Sequence, residues 1–294
     1  MSPPPAIYLD HGATAFPKAP GVAEAMVRFL EREAGNPGRG GHRLTVAASR
    51  AIEAAREEAA VLLGGDPERT LLGPGATFWI NAVLGSVLQP GCRVVTSALE
   101  HNAVMRPLRR LEAERGVEVA VVAAADTCGV PTPGELAARV AEAPTAFVVL
   151  THASNVSGEV LPVAAIAAAV APVPVLVDAA QTAGGLEIDF RALGAAALAC
   201  SGHKGLLGPP GIGLLLLAPG FEIEPLLRGG TGSRSESEEM PEHLPDRLEA
   251  GTPNGVGAAG LGAACRWLHE QGVEAVRERQ QRLAPRLADA LRAV

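Results

Sequence analysis

The sequence predicts an α/β protein whose mostly parallel sheet is covered by helices on both faces. Short apolar segments alternate with amphipathic ones over most of the 294 residues, and most of the apolar segments lack an in/out alternation. A strand buried on both faces has this appearance, and repeated strand–helix units make such strands parallel. Aromatic residues are only 3% of the chain, which favours Ala-rich helices and Val/Leu strands over a β-sandwich, although a compositional bias of the source genome explains this equally well.

The predicted elements follow one another as strand and helix. Six apolar segments have the length of buried strands: residues 93–97, 117–122, 146–151, 173–178, 196–201 and 212–217. Eight segments have helical periodicity: residues 22–33, 47–63, 77–88, 102–114, 133–142, 163–170, 256–271 and 273–294. A polar loop rich in Gly and Ser is predicted at 229–242. In open sheets of this kind, ligands bind at the carboxyl ends of the strands.

Charge and cysteine content argue against several classes of protein. The 25 Lys+Arg against 32 Asp+Glu residues give a net charge of −7, whereas a nucleic-acid-binding protein needs a basic face to neutralise phosphates. We find no signal-peptide pattern, and the two long uncharged stretches each contain three prolines, which argues against membrane spans. The cysteines form no C-x-x-C pair and are widely spread: Cys92, Cys128, Cys200 and Cys265. We therefore expect a cytoplasmic protein without a zinc site, disulfide framework or bound metal.

Lys204 is notable because lysine is almost absent from the chain. The only lysines are Lys18 and Lys204, and every other Lys or Arg position is an arginine. Arginine stays protonated under ordinary conditions and forms no Schiff base, whereas a lysine amine does. The position of Lys204, between a predicted buried strand and a Gly-rich turn, therefore favours a chemical role. An ordinary surface lysine is the alternative, and the retention of Lys18 is consistent with it.

A carboxylate accompanies this lysine. Asp178 ends the apolar segment 173–178, and Lys204 follows the neighbouring predicted strand 26 residues later. Both side chains are thus expected at the ligand-binding edge of the sheet, although Asp is also a common helix N-cap. An Asp beneath a pyridine nitrogen and a Lys at an aldehyde carbon are the two contacts that pyridoxal phosphate requires.

Three further sites are ambiguous when taken alone. The segment 73–77, with sequence GPGAT, leads into a predicted helix and offers backbone N–H groups to a phosphate. An ordinary Gly/Pro turn with Thr77 as the N-cap explains it as well. His101 and Asn155 each follow a predicted strand, and either could be a loop residue without a role.

Together these motifs form a recognisable series along nearly the whole chain: Tyr8-Leu9-Asp10, Gly75-Ala76-Thr77, Glu100-His101-Asn102, Asn155, Asp178-Ala179-Ala180-Gln181, Ser201-Gly202-His203-Lys204 and Ala250-Gly251-Thr252-Pro253-Asn254. In order and spacing the series resembles the class V family of pyridoxal-phosphate-dependent aminotransferases, and within it the cysteine desulfurase and selenocysteine lyase branch. The resemblance implies the large domain of fold type I. It also implies an enzyme that removes sulfur from L-cysteine to give L-alanine.

The resemblance assigns catalytic roles to three residues. Lys204 would hold the cofactor as an internal aldimine and then move the substrate α-proton. Asp178 would keep the pyridine nitrogen protonated, and His101 would stack on the ring. An aminotransferase or β-lyase of the same family is the alternative activity.

The resemblance also assigns the remaining cofactor contacts. Gln181 and Asn155 would reach the phenolic oxygen, and the phosphate would be bound by four residues: Ala76, Thr77, Ser201 and His203. Thr252 resembles a residue that reaches the phosphate of a neighbouring subunit, which implies a homodimer. Segments 10–14 and 36–43 resemble substrate-side loops, and a sulfur-acceptor protein is a possible partner.

Two departures from the family pattern concern the substrate. The family uses a cysteine on a mobile loop and an arginine in a small C-terminal domain, and no cysteine here matches that loop. We therefore expect residues 1–250 to form the cofactor-binding domain with its N-terminal segment. Residues 251–294 would begin the helical connection to a small domain that the chain lacks, and a cofactor-binding fragment without desulfurase turnover is a further alternative. His11-Gly12 also stands where the family commonly has Asn-Ala.

Overall fold

A computed structural model describes residues 7–38, 40–124, 129–233 and 237–293. Within these ranges seven strands form one sheet: β1 (Thr70–Gly73), β2 (Arg93–Ser97), β3 (Glu118–Val122), β4 (Phe147–Thr151), β5 (Val175–Asp178), β6 (Ala197–Ser201) and β7 (Gly213–Leu217). Their order is β1-β7-β6-β5-β4-β2-β3. Strands β3, β2, β4, β5 and β6 are parallel, whereas β7 runs antiparallel to both β6 and β1. The predicted mostly parallel α/β sheet is confirmed.

The α-helices of the described residues are α1 (Val22–Arg28), α2 (Arg43–Leu63), α3 (Ala76–Val87), α4 (Asn102–Arg115), α5 (Pro133–Ala141), α6 (Val163–Val170), α7 (Phe190–Leu193), α8 (Gly255–Gln271) and α9 (Val273–Arg292). Helix α1 continues as one π-helical turn, Phe29–Glu33. Helix α2 begins four residues before its predicted start, because the His42 side chain caps it by accepting a hydrogen bond from the Thr45 N–H (3.4 Å). The missed strand β1 has only four residues, too few to show a pattern.

Helices cover both faces of the sheet, as predicted. On one face α2, α5, α6 and α8 contribute to a continuous apolar cluster, and on the other α3 and α4 do so. Successive residues of β4 alternate between these layers: Val148 joins the first cluster and Val149 the second. Both are fully buried, which explains why the strand sequence shows no polar alternation.

The sheet brings the carboxyl ends of four parallel strands to one edge. Strands β2, β4, β5 and β6 end at Ser97, Thr151, Asp178 and Ser201. Thr151 lies directly beside Asp178 in the register of β4 and β5. This edge carries the candidate site.

The last helix, α9, has no buried residue in its length. Leu283, Leu287 and Leu291 recur every four residues along it and are all more than half exposed. The polar loop 229–242 forms no helix or strand in its described part. Across the described ranges, none of the helices has the length and apolar character needed to span a membrane.

Candidate active site

A cavity of about 110 Å³ opens at the carboxyl edge of the sheet. Its walls come from loops after β4, β5 and β6 and from the first turns of α3 and α4. It is lined by Ala76, Thr77, His101, Ala103, Thr151, Ala153, Asn155, Asp178, Ala180, Gln181, Ser201, His203 and Lys204. The structure therefore brings together every site residue predicted from the sequence except Thr252.

Lys204 lies on a tight turn after β6. The Leu207 N–H donates to the Lys204 carbonyl (2.8 Å), and the Gly208 N–H donates to the Gly202 carbonyl (2.8 Å). A Cβ atom at Gly205 would lie only 2.5 Å from the carbonyl oxygen of Ala183. Glycine is required at this position because the turn packs directly against the backbone that follows Asp178. This contact holds the lysine and aspartate segments together.

Asp178 is a buried carboxylate at the floor of the cavity, 3% exposed. Its Oδ1 accepts a hydrogen bond from the Ala180 N–H (3.0 Å), so it caps a turn rather than a helix. Burial raises the pKa of Asp178, and the nearby positive charges of Lys204 and His101 oppose this rise. A cationic group bound above the carboxylate would favour its ionised form.

The opposite end of the cavity is the N-terminus of α3. The helix begins at Ala76, and its N-cap, Gly75, supplies no side-chain hydrogen bond. The alternative with Thr77 as N-cap is therefore wrong. The Ala76 N–H donates to the Ser201 hydroxyl (3.2 Å). The first-turn N–H groups of a helix have no intrahelical partners, so this end is suited to a phosphate or another anion.

The side walls carry the other predicted residues. His101 is the N-cap of α4, and its Nδ1 accepts a hydrogen bond from the Ala103 N–H (3.0 Å), which fixes the ring at the cavity rim. Gln181 donates from Nε2 to the Gly12 carbonyl (3.3 Å), which ties the N-terminal segment to the site. Asn155 is exposed on the loop after β4.

Thr252 lies outside this cavity. It lines a separate cavity of about 180 Å³ together with Gly73 and Pro74. Its loop is held by Asn254, which donates to the Gly211 carbonyl (3.0 Å) and accepts from the Gly257 N–H (2.9 Å). Because Thr252 is exposed and does not line the site of its own chain, a role at the phosphate of a second subunit stays a prediction.

Two groups next to the cavity were not predicted as site residues. The Glu100 carboxyl lies buried beneath the loop that carries His101 and is held by the Ser97 hydroxyl. The Lys18 ammonium donates to the carbonyl of His203, the residue before Lys204 (3.1 Å). The sequence signal for Lys18 was the scarcity of lysine itself.

None of the cysteines that the structure describes lines the cavity. Cys200 and Cys265 are fully buried, and Cys92 is half-buried before β2. Cys128, expected in a surface turn, lies outside the described residues.

The sequence is similar to that of known proteins. The family model described as Aminotransferase class-V matches residues 7–294. The chain belongs to the class-V aminotransferase family. A probable cysteine desulfurase of Methanothermobacter thermautotrophicus is 36% identical over 96% of this chain and 71% of that protein. A probable cysteine desulfurase of Pyrococcus abyssi is 32% identical over 97% of this chain and 72% of its own length.

The fold is also similar to solved structures of cysteine desulfurases. The apo structure of the cysteine desulfurase from Thermococcus onnurineus NA1 matches with a TM-score of 0.90 and 30% identity, over 98% of this chain and 73% of that one. A structure titled "SspA in complex with cysteine" matches with a TM-score of 0.76 and 28% identity, over 88% of this chain and 72% of that one. The resemblance to the cysteine desulfurase branch of an enzyme family, and the fold type that it implied, are confirmed.

Proposed function

We propose that this class-V enzyme binds pyridoxal phosphate and removes sulfur from L-cysteine, releasing L-alanine. The observation that carries the proposal is a single cavity holding a lysine amine, a buried carboxylate and a helix N-terminus without a side-chain cap: Lys204, Asp178 and the start of α3. These are the groups that the aldehyde, ring nitrogen and phosphate of the cofactor need. When bound, the cofactor supplies an electrophilic carbon and an electron-withdrawing ring.

Three residues of this chain would act on the substrate and on the cofactor ring. Lys204 takes the substrate α-proton and returns a proton during alanine formation. Asp178 holds a proton at the ring nitrogen, because a buried carboxylate is stabilised in its ionised form by an adjacent cation. His101 would stack on the ring of the bound cofactor, because the bond from the Ala103 N–H holds its imidazole beside the cavity.

The other proposed contacts orient the cofactor. The phosphate is held by Ala76, Thr77, Ser201 and His203, and the phenolic oxygen by Asn155 and Gln181. Orientation of this kind contributes to the rate because reacting groups held in place need no further ordering.

We further propose a homodimer in which Thr252 contacts the phosphate of the second subunit. The exposure of Thr252 supports this arrangement, since the residue lines a cavity with Gly73 and Pro74 and not the candidate site of its own chain. Transfer of the sulfur to an acceptor protein and a cytoplasmic location are further predictions of this proposal. A third is the boundary of the cofactor-binding domain at residue 250, with the later residues leading toward a small domain.

A cofactor-binding chain with little desulfurase turnover is the second candidate. Desulfuration needs an accessible thiolate near the substrate sulfur, and none of the described cysteines lines the cavity. Aminotransfer and β-elimination are alternative reactions at this site, because neither requires a cysteine thiolate of the protein.

The deciding experiment measures products from L-cysteine with pyridoxal phosphate and a thiol reductant present. Equal amounts of sulfide and alanine support desulfuration. Pyruvate with sulfide indicates a β-lyase, and a keto acid without sulfide indicates an aminotransferase. A cofactor bound to lysine absorbs at about 420 nm. Lys204→Ala should abolish both this visible band and product formation. If Lys204→Ala keeps a borohydride-reducible visible band, the assignment of Lys204 is wrong.

A further inference from the structure

Three hydrogen-bond donors converge on one backbone carbonyl beside the catalytic lysine. The His203 carbonyl oxygen accepts from the Ala15 N–H (2.9 Å), the Thr14 hydroxyl (3.1 Å) and the Lys18 ammonium (3.1 Å). A carbonyl has two lone pairs, so three donors saturate it. A bond from an ammonium is also stronger than a neutral one. The N-terminal segment is thus attached to the peptide group that leads into Lys204.

Lys18, the charged donor, has two hydrogen-bond acceptors among the described residues, and neither is acidic. Within the described ranges Lys18 forms no salt bridge, and its second bond goes to the Thr14 hydroxyl (3.3 Å). Partial burial lowers the pKa of Lys18. Burial also lowers the pKa of His203, and the charges of Lys204 and Lys18 lower it further. Both ammonium groups therefore act on the same imidazole.

The segment that Lys18 anchors is attached at both ends to loops that line the cavity. At one end the Gly12 carbonyl accepts a bond from Gln181 (3.3 Å). At the other end the Ala19 N–H donates to the Leu207 carbonyl (3.0 Å), just past the lysine turn. The segment is therefore hydrogen-bonded to the loops of both Asp178 and Lys204. Of the only two lysines of the chain, Lys18 contacts the carbonyl of the residue that precedes the other.

We propose that Lys18 is a positioning residue that holds the His203 carbonyl and thereby fixes the direction in which Lys204 enters the cavity. A single carbonyl in a half-buried slot suits the compact ammonium of lysine better than the broad guanidinium fork of arginine. This role concerns the same site as the proposed function, and its spectroscopic test rests on that function because it requires bound pyridoxal phosphate.

The test compares Lys18→Met, which keeps the apolar stem, with Lys18→Arg, which keeps the charge and a donor. Arg109→Met serves as the matched control, because it removes an exposed cation whose salt bridge, among the described residues, is with Glu112 on the same helix, α4. Pyridoxal phosphate is added to each apoprotein, and two quantities are measured. One is the rate at which the visible band forms, and the other is the induced circular dichroism of that band per bound cofactor.

We expect Lys18→Met to slow band formation by about tenfold and to reduce the induced circular dichroism by at least about twofold, since small misplacements of a reacting group have effects of this size. Lys18→Arg should fall between Lys18→Met and the parent protein, because it keeps the charge and a donor but not the compact ammonium, and Arg109→Met should match the parent protein. Parent-like rate and dichroism in Lys18→Met would overturn the proposal. If that variant does not fold, Lys18→Gln, which keeps a donor without the charge, is judged by the same criteria.

A parent protein that takes up no cofactor would refute the proposed function but not the role of Lys18. In that case hydrogen exchange of the apoprotein decides. The amides of Ala15 and Leu207 should exchange at least about fivefold faster in Lys18→Met than in Lys18→Arg, because exchange reports local opening. Equal exchange in the two variants would overturn the positioning role.

Discussion

The Ser97 hydroxyl donates a hydrogen bond of 2.6 Å to one carboxyl oxygen of Glu100, three residues further along the chain. The other oxygen, Oε2, is buried with no hydrogen-bond partner in the described part of the chain. The carboxyl also interacts with the backbone of Thr151 and with the charge of Asp178. Two carboxyl groups so placed in a poorly solvated site do not both ionise readily. Burial, reinforced by Asp178, raises the pKa of Glu100 to about 8.

The first prediction concerns the stability of the apoprotein against pH. Because the folded state holds the Glu100 proton more tightly than the unfolded state, its contribution to stability is present at low pH. It is lost as pH rises from about 4.5 to about 8. Glu100→Gln keeps the shape without the titration. The variant should therefore lose less stability than the parent across this window, measured by thermal unfolding. Parallel curves for the two proteins would contradict a neutral Glu100.

The second prediction concerns Asp178. Asp178→Asn removes the carboxylate that we propose to pair with the ring nitrogen. The rate of α-proton removal should therefore fall by more than about tenfold, or 1.4 kcal/mol of barrier, and cofactor affinity should fall much less. Single-turnover spectroscopy and cofactor titration measure the two effects. Asp189→Asn is the matched control, because Asp189 also caps backbone N–H groups but lies at the start of α7. A loss of tenfold or less in Asp178→Asn would count against the role.

The third prediction concerns a buried ion pair that anchors β1 and the loop of Thr252. Arg56 is 2% exposed and donates to Glu249 Oε1 (2.7 Å) and to the Thr70 carbonyl (2.6 Å). The same carboxylate oxygen accepts from the Leu72 N–H (2.6 Å). Arg56→Met leaves Glu249 buried without its cation, so the free energy of unfolding in urea should fall by about 3–5 kcal/mol.

The double variant Arg56→Met with Glu249→Gln tests the cause of that loss. It should be more stable than Arg56→Met alone, because no uncompensated charge remains buried. Arg110→Met serves as a control, since its pair with Glu114 is exposed on α4 and surface pairs contribute little. Equal losses in Arg56→Met and Arg110→Met would show that burial of the pair is unimportant.

The fourth prediction concerns thiol reactivity. Burial raises the pKa of Cys265 to about 12 and raises that of Cys200 as well, and both side chains are fully buried. In a Cys128→Ala background, one thiol, Cys92, should react with a disulfide reagent in the native protein, and the other two only after unfolding. If Cys200 or Cys265 is labelled by sulfur from cysteine during turnover, the view that neither accepts sulfur is wrong.

Much of the candidate site could be predicted from the sequence because its parts follow strands. Asp178 ends an apolar segment and His101 comes four residues after another, and the carboxyl ends of parallel strands share one edge. Lys204 was indicated by its chemistry, since lysine and arginine differ in their ability to form a covalent adduct. Strand β1 could not be predicted, since its four residues are defined by pairing with β7 rather than by their own pattern.

The order of motifs, the family and the alternation of buried strands with helices were determined by the sequence alone, because they depend on local composition and on spacing along the chain. Only the tertiary structure decided which distant groups meet. Lys18 and His203 are 185 residues apart and Arg56 and Glu249 are 193 apart, yet each pair is in hydrogen-bond contact. The pKa of Glu100 is equally non-local, since it depends on the backbone of Thr151 at the end of β4 and on the charge of Asp178 at the end of β5. Contacts of this kind arise from the packing of the sheet and its loops, and no short segment of the sequence encodes them.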